Sequence, residues 1–246
     1  MVKNTFMKTK PIFPLLVSMA VPMMLSMLIQ SLYNIVDSIY VSRLGTDALT
    51  AVSLAYPLQN ITTSVSVGIG VGITSAISIH LGAQNQEKAN RAATIGIALT
   101  VLHCLLFIVA GILVTRPFLK LFTDDPAILS DACDYTYIVL CLSFGCLLQV
   151  TMEKIFQGIG EMRLTMYLLA SGCIINIILD PILIFGLLGF PAMGVKGAAI
   201  ATVIGQICAF LLYVVVYRKK KLAICIHPKY LCLDKRIILQ IYSVGI

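Results

Sequence analysis

The sequence predicts an all-α integral membrane protein, a bundle of six transmembrane helices with its N-terminus in the cytoplasm. Three observations carry that expectation. Apolar residues make up 59% of the chain and charged residues 12%, with a mean hydropathy of +0.96, whereas a soluble domain carries about a quarter charged residues. Six apolar runs near 12–42, 50–80, 93–115, 132–157, 164–186 and 195–217 are each long enough to cross a bilayer, which takes about 20 residues. Basic residues are shared unequally between alternate connections. Lys3, Lys8, Lys10, Lys88, Arg91, Arg163, Arg218, Lys219, Lys220, Lys221, Lys229, Lys235 and Arg236 fall on one side, against Arg43, Arg116, Lys120 and Lys196 on the other. The positive-inside rule makes the first side cytoplasmic. A multi-pass protein of the cell membrane, in contact with its lipids, is therefore expected.

The net charge of +7 does not point to nucleic acid, because the basic residues sit between apolar runs and form no patch interleaved with aromatics. The eight cysteines form no CxxC pair. Cys104, Cys141, Cys146, Cys173 and Cys208 fall in apolar runs as small hydrophobes, and Cys225 and Cys232 fall on the reducing side. The first apolar run is too long for a cleavable signal peptide and lacks a small-residue cleavage site.

Taken in order, the first run carries Pro22, which is expected to kink it. It also carries Gln30, Tyr33 and Asp37 at i, i+3 and i+7, on one helical face. The second run contains Gly68, Gly70 and Gly72, read as small residues for close helix packing; no strand precedes them as a dinucleotide fingerprint requires. His80 and His103, in the second and third runs, read as helix-interface residues. Asp124, Asp125, Asp131 and Asp134 read as a solvated acidic loop with a helix cap. The fourth run reaches Glu153 and Lys154, where Glu153 either pairs with Lys154 or Arg163 or faces a cavity.

The fifth run holds the costliest residue. A carboxylate near the middle of a spanning helix costs roughly 2.5–3.5 kcal/mol on insertion scales, and Asp180 pays it. Asn176 lies one turn before it on the same face. Pro181 follows at once and frees the carbonyl of Ile177 from its helical partner. Polar side chains and a freed carbonyl at one spot read as an ion or proton site. The sixth run opens with small residues from Gly194 and reaches Thr202, and four basic residues from Arg218 to Lys221 close it beside anionic headgroups.

Depth provides a test. Asp37 lies six residues before Arg43, Asp180 six before Gly186, and Thr202 six after Lys196, so each sits about 9 Å below the outer boundary. Three polar residues on three helices at one level form a shared site if those helices are neighbours. Otherwise each side chain bonds a nearby backbone carbonyl, or the carboxylates reach toward the headgroups.

These residues also carry a family likeness. Val21-Pro22 with Gln30-x-x-Tyr33-x-x-x-Asp37, the stretch Glu153-Lys154-Ile155-Phe156-Gln157-Gly158, Asn176-Ile-Ile-Leu-Asp180-Pro181 and Gly194-Val-Lys-Gly-Ala-Ala-Ile-Ala-Thr202 resemble the multidrug and toxic compound extrusion (MATE) transporters, in particular their DinF-like prokaryotic branch. The resemblance implies a secondary antiporter of twelve helices in two lobes, exporting cationic or amphipathic small molecules against H⁺ or Na⁺, with no other cofactor. It implies cation coupling for Asp37, Asn176, Asp180 and Thr202, which would also be the ligands of any Na⁺. It implies cavity positions for Gln30, Tyr33 and Glu153, although Glu153 stands where other branches often have Asn. It further implies that the first helix bends near Pro22 on protonation.

On this reading residues 1–217 are the N-lobe, 218–232 a basic cytoplasmic linker and 233–246 the start of a truncated seventh helix. Ile241-Tyr-Ser-Val-Gly-Ile246 parallels Leu16-Val-Ser-Met-Ala-Val21, so a fragment lacking its C-terminal lobe is expected. Desolvation and mutual repulsion between Asp37 and Asp180 would keep a proton or Na⁺ between them near neutral pH. The rival readings are a half-length or half-size chain that transports nothing without a second lobe, and a polysaccharide or lipid flippase, which would need a wide cationic groove. An enzyme is not expected, since no His/Cys/carboxylate set has suitable spacing.

Overall fold

In a bilayer every backbone polar group must find a partner within the protein, so apolar runs of this length fold as helices. The computed structural model describes residues 11–220, 222–232 and 234–245, and among them there are eight α-helices and no strand. Lys3, Lys8, Lys10 and Lys221 of the cationic tally lie outside the described residues, as do Leu233 and Ile246. The helices are α1 (Ile12–Ser42), α2 (Thr46–Gly82), α3 (Gln86–Leu119), α4 (Pro126–Cys141), α5 (Phe144–Gly158), α6 (Met162–Phe185), α7 (Val195–Lys219) and α8 (Lys235–Gly245). Five of them are long and apolar enough to cross a membrane, and α4 with α5 makes a sixth, broken span bent by 45°.

That break is the chief departure from the expected spans. The run 132–157 is not one helix: Leu142 and Ser143 interrupt it. Ser143 is buried with its Oγ unpartnered, and Gly145 lies two residues on with no side chain to fill the first turn of α5. Ser and Gly together are a common origin of helix kinks. Pro22 and Pro181, in contrast, both lie inside continuous helices. At 37 and 34 residues, α2 and α3 run about 50–55 Å and extend beyond a hydrocarbon core of about 30 Å.

Cross-contacts sort the connections into two ends. At the basic end Lys220 Nζ pairs with both Glu161 carboxylate oxygens at 3.1 Å, and the amide of Cys225 donates to Asn90 Oδ1 at 2.9 Å. At the far end Lys196 Nζ pairs with Asp134 at 3.0 Å. Asp125 caps α4 there, accepting from the amides of Ala127 and Ile128, as the acidic loop led us to expect.

The segment between α7 and α8 is strapped to the bundle: Ile224 is buried in the main core and the amide of Ile226 donates to Tyr217 Oη at 2.6 Å. That core centres on Ile73, Ile77, Phe156 and Tyr213, with the Phe156 and Tyr213 rings edge-to-face at 5.2 Å. A second cluster of Val41, Tyr135, Ile184 and Val195 holds the far end together. The glycines of α2 serve close packing as expected. A Cβ on Gly72 would collide with the carbonyl of Ile241 in α8, one on Gly68 with that of Gly245, and one on Gly70 with the Lys154 stem at 2.5 Å. His103 donates from Nδ1 to the Leu99 carbonyl at 2.8 Å and faces the Tyr242 ring, an interface position.

Gly72→Val places a branched side chain where the Ile241 carbonyl sits, and overpacking of this kind costs about 1–3 kcal/mol. The expected outcome is a lower Tm in detergent and faster proteolysis ahead of α8. An unchanged Tm would mean that α8 does not dock on this groove.

Candidate functional site

Helices α6 and α7 approach so closely that backbone meets backbone. A Cβ on Gly197 would stand 2.6 Å from the Leu183 carbonyl, and one on Gly172 would stand 3.0 Å from that of Gly205. Small residues are what allow this approach. The result is that Asn176 and Thr202, on separate helices, come within reach of each other. Asn176 Nδ2 donates to Asp180 Oδ1 at 3.2 Å and to Thr202 Oγ1 at 3.4 Å. All three residues are buried, Asp180 completely.

Asp37 reaches the same region from α1, which packs chiefly along α6. The Tyr40 ring meets Phe185 edge-on at 6.3 Å one turn beyond Asp37 and holds the two helices in register. Asp37 and Asp180 thus stand on two helices packed along each other. No basic side chain pairs with either among the described residues. Three oxygens are left buried without a hydrogen bond: Asp37 Oδ1, Asn176 Oδ1 and Asp180 Oδ2. An unpartnered buried polar atom costs about 1–3 kcal/mol, and here three of them come from two adjacent helices. Carboxylate, carboxamide and hydroxyl oxygens suit a proton or a hard cation such as Na⁺. Among the described residues no cluster of His, Cys, Asp or Glu resembles a transition-metal site.

Asn176 and Thr202 have a second role, as part of the wall of a cavity of about 220 Å³ between α1, α2, α5, α6 and α7. Gln30 and Tyr33 also line it; Asp37, Asp180 and Glu153 do not. Glu153 lies one turn along α5 from the lining residues Gln149 and Val150. Its Oε1 accepts from Gln157 Nε2 at 2.8 Å and meets Lys154 Nζ at 3.4 Å, so of the two sequence alternatives the pairing with Lys154 is the one formed. Lys154 also donates to Gln157 Oε1 at 3.1 Å.

Several residues here escaped the sequence reading. Tyr135 of α4 is buried in the cluster with Val41 of α1 and Ile184 of α6 and donates its hydroxyl to Gln59 Oε1 at 3.3 Å. The cavity wall also includes Asn34, Gln59, Asn60, Gln149 and Gln206. Carboxamides inside membrane-length apolar runs were the available signal, since polar groups at that depth seldom lack a role.

A polytopic helical bundle with a fully buried carboxylate behind the wall of a polar cavity belongs to the class of membrane transporters. Within that class the chain belongs to the MatE family, whose profile matches residues 22–182. It is 32% identical over 235 residues to the Bacillus subtilis protein named "Probable multidrug resistance protein YoeA", covering 92% of this chain and 50% of that one. It is 29% identical over 202 residues to an FAD transporter of Shewanella oneidensis, covering 81% and 44%. The fold superposes on a MOP-superfamily transporter from Pyrococcus furiosus with a TM-score of 0.88 at 28% identity, over 94% of this chain and 50% of that one. The chain thus spans about half the length of the relatives it matches, and the fold is that of one lobe.

Asp180→Leu removes a buried carboxyl that lacks one partner and leaves Asn176 its bond to Thr202. In Na⁺-free buffer this variant should be more stable by about 0.5–2 kcal/mol, the usual gain when a functional group held at a structural cost is replaced. Differential scanning fluorimetry reads the shift. A lower Tm would show that the fold itself needs Asp180.

Proposed function

We propose that this chain is the N-terminal lobe of a secondary active antiporter of the bacterial cell membrane, which exports cationic or amphipathic small molecules in exchange for H⁺ or Na⁺. Asp37, Asn176, Asp180 and Thr202 hold the coupling ion, and a C-terminal lobe completes the machine. The observation that carries this reading is the double position of Asn176 and Thr202. They line the cavity, and Asn176 donates both to Thr202 and to Asp180 behind the wall. A cation that takes up the free oxygens of Asp37, Asn176 and Asp180 re-aims Asn176 and so alters the surface that cargo meets.

The moving part is α1. Most of its apolar side chains are exposed in this lobe, and α6 is its main support. A cation shared between Asp37 on α1 and Asp180 on α6 draws the two helices together, and its loss releases α1. The ion therefore has different affinities for two arrangements of one helix, which is the requirement for coupling. Alternating access then follows from rocking of the two lobes about the cavity. The relative named an FAD transporter supports a second reading of the cargo, a flavin nucleotide, which competition of dye efflux by FAD would reveal.

Dye efflux from inverted vesicles carrying the full-length protein, under an imposed ΔpH or ΔNa⁺, tests the coupling. Asp37→Asn and Asp180→Asn should each slow gradient-driven efflux by about tenfold or more, a loss of ~1.4 kcal/mol or greater. Efflux that keeps its wild-type rate and gradient dependence in both variants would refute the assignment.

A further inference from the structure

Among the described residues, the wall of the cavity contains no ionisable group other than phenol and thiol. Its polar surface is supplied by Gln30, Asn34, Gln59, Asn60, Gln149 and Gln206, together with Asn176 and Thr202. We propose that the cavity selects uncharged planar heteroaromatic cargo through hydrogen bonds and does not select by positive charge. This narrows the cargo named above and rests on the cavity being the cargo site.

The negative charges stand one layer back. Asp180 is fully buried behind Asn176, and on the other side Glu153 is matched by Lys154 at 3.4 Å. A cation against this wall would meet neutral dipoles and no carboxylate of this lobe, so its charge gains no counter-charge there. A carboxamide, in contrast, offers a donor and an acceptor side by side. That pair matches the edge of a lactam, imide or aminopyrimidine ring, as Asn and Gln do when they read adenine.

Gln149 is the most telling of the set. It is only 7% exposed, it makes no hydrogen bond among the described residues, and it lines the cavity. Its carboxamide is therefore free to hydrogen-bond a ligand in the cavity. Tyr33 and Tyr56 add aromatic faces, and Tyr56, 63% exposed, stands at the mouth. The volume of about 220 Å³ is below the roughly 300–1,000 Å³ of drug-sized sites. It accommodates one fused ring system, with any bulkier substituent left at the mouth.

Two fluorescent tricyclic probes of similar size separate hydrogen bonding from charge: lumichrome, neutral with an imide edge, and proflavine, a cation. Each is titrated onto the full-length protein in phosphatidylcholine nanodiscs, where no anionic lipid collects the cation. Lumichrome should bind about tenfold or more tighter than proflavine, with a Kd unchanged between roughly 20 and 500 mM salt. Gln149→Leu should weaken lumichrome by about fivefold or more, and Gln149→Glu should shift the preference toward proflavine. Unchanged Tm values for both variants show that the fold is kept, and Gln206→Leu replaces any variant that fails this check. Equal or tighter proflavine binding by the wild type, or lumichrome binding indifferent to the carboxamide substitutions, overturns the proposal while leaving the cavity as the cargo site. Failure of both probes to bind overturns the cargo site as well.

Discussion

Two hydrogen bonds leave the carboxamide nitrogen of Asn176, one to Asp180 on its own helix and one to Thr202 on the next. They join the buried Asp180 carboxylate to the cavity wall. Everything needed to place them is costly in isolation: a carboxylate in an apolar run, helices packed backbone to backbone, and polar oxygens left unsatisfied. Hydrocarbon provides no water to relieve such groups, so they persist only where the surrounding helices hold them.

The rest of the lobe can be understood as that holding structure. Gly172, Gly197 and Gly205 allow α6 and α7 to close on each other, which brings Asn176 to Thr202. The break at Leu142–Ser143 turns the fourth span so that α4 brings Tyr135 to Gln59 and α5 brings Gln149 to the cavity. The clusters around Val41 and around Phe156 fasten the two ends. Among the described residues α1 is held mainly by α6. An element that must move is drawn from the least stable part of a fold, and α1 carries Asp37.

The sequence was most legible where a residue was out of place. Asp180 in an apolar run, and Asp37, Asp180 and Thr202 at equal depth, pointed to one region, and the model brings Asp180 and Thr202 together through Asn176. Glu153 was ambiguous because two basic residues were within reach, and the side-chain bonds to Lys154 and Gln157 came from the three-dimensional arrangement. The break in the fourth span was missed because its apolar run is uninterrupted, and a buried serine reads as apolar filler. Asn34, Gln59, Asn60, Gln149 and Gln206 were less legible, because a neutral amide in an apolar run is less costly than a charge and stands out less.

Composition and charge alone determined that the chain is a multi-helix membrane bundle, because the cost of polar groups in hydrocarbon restricts both what can span and which side basic residues take. The sequence also determined which residues are too costly to be incidental. Only the tertiary structure decided which of them meet. Contacts between α1, α6 and α7 are set by crossing geometry and by the positions of glycines, and neither follows from periodicity along one helix. It likewise decided that the acidic side chains stand behind the wall and the amides in front of it, a difference of a single layer that determines what a ligand meets.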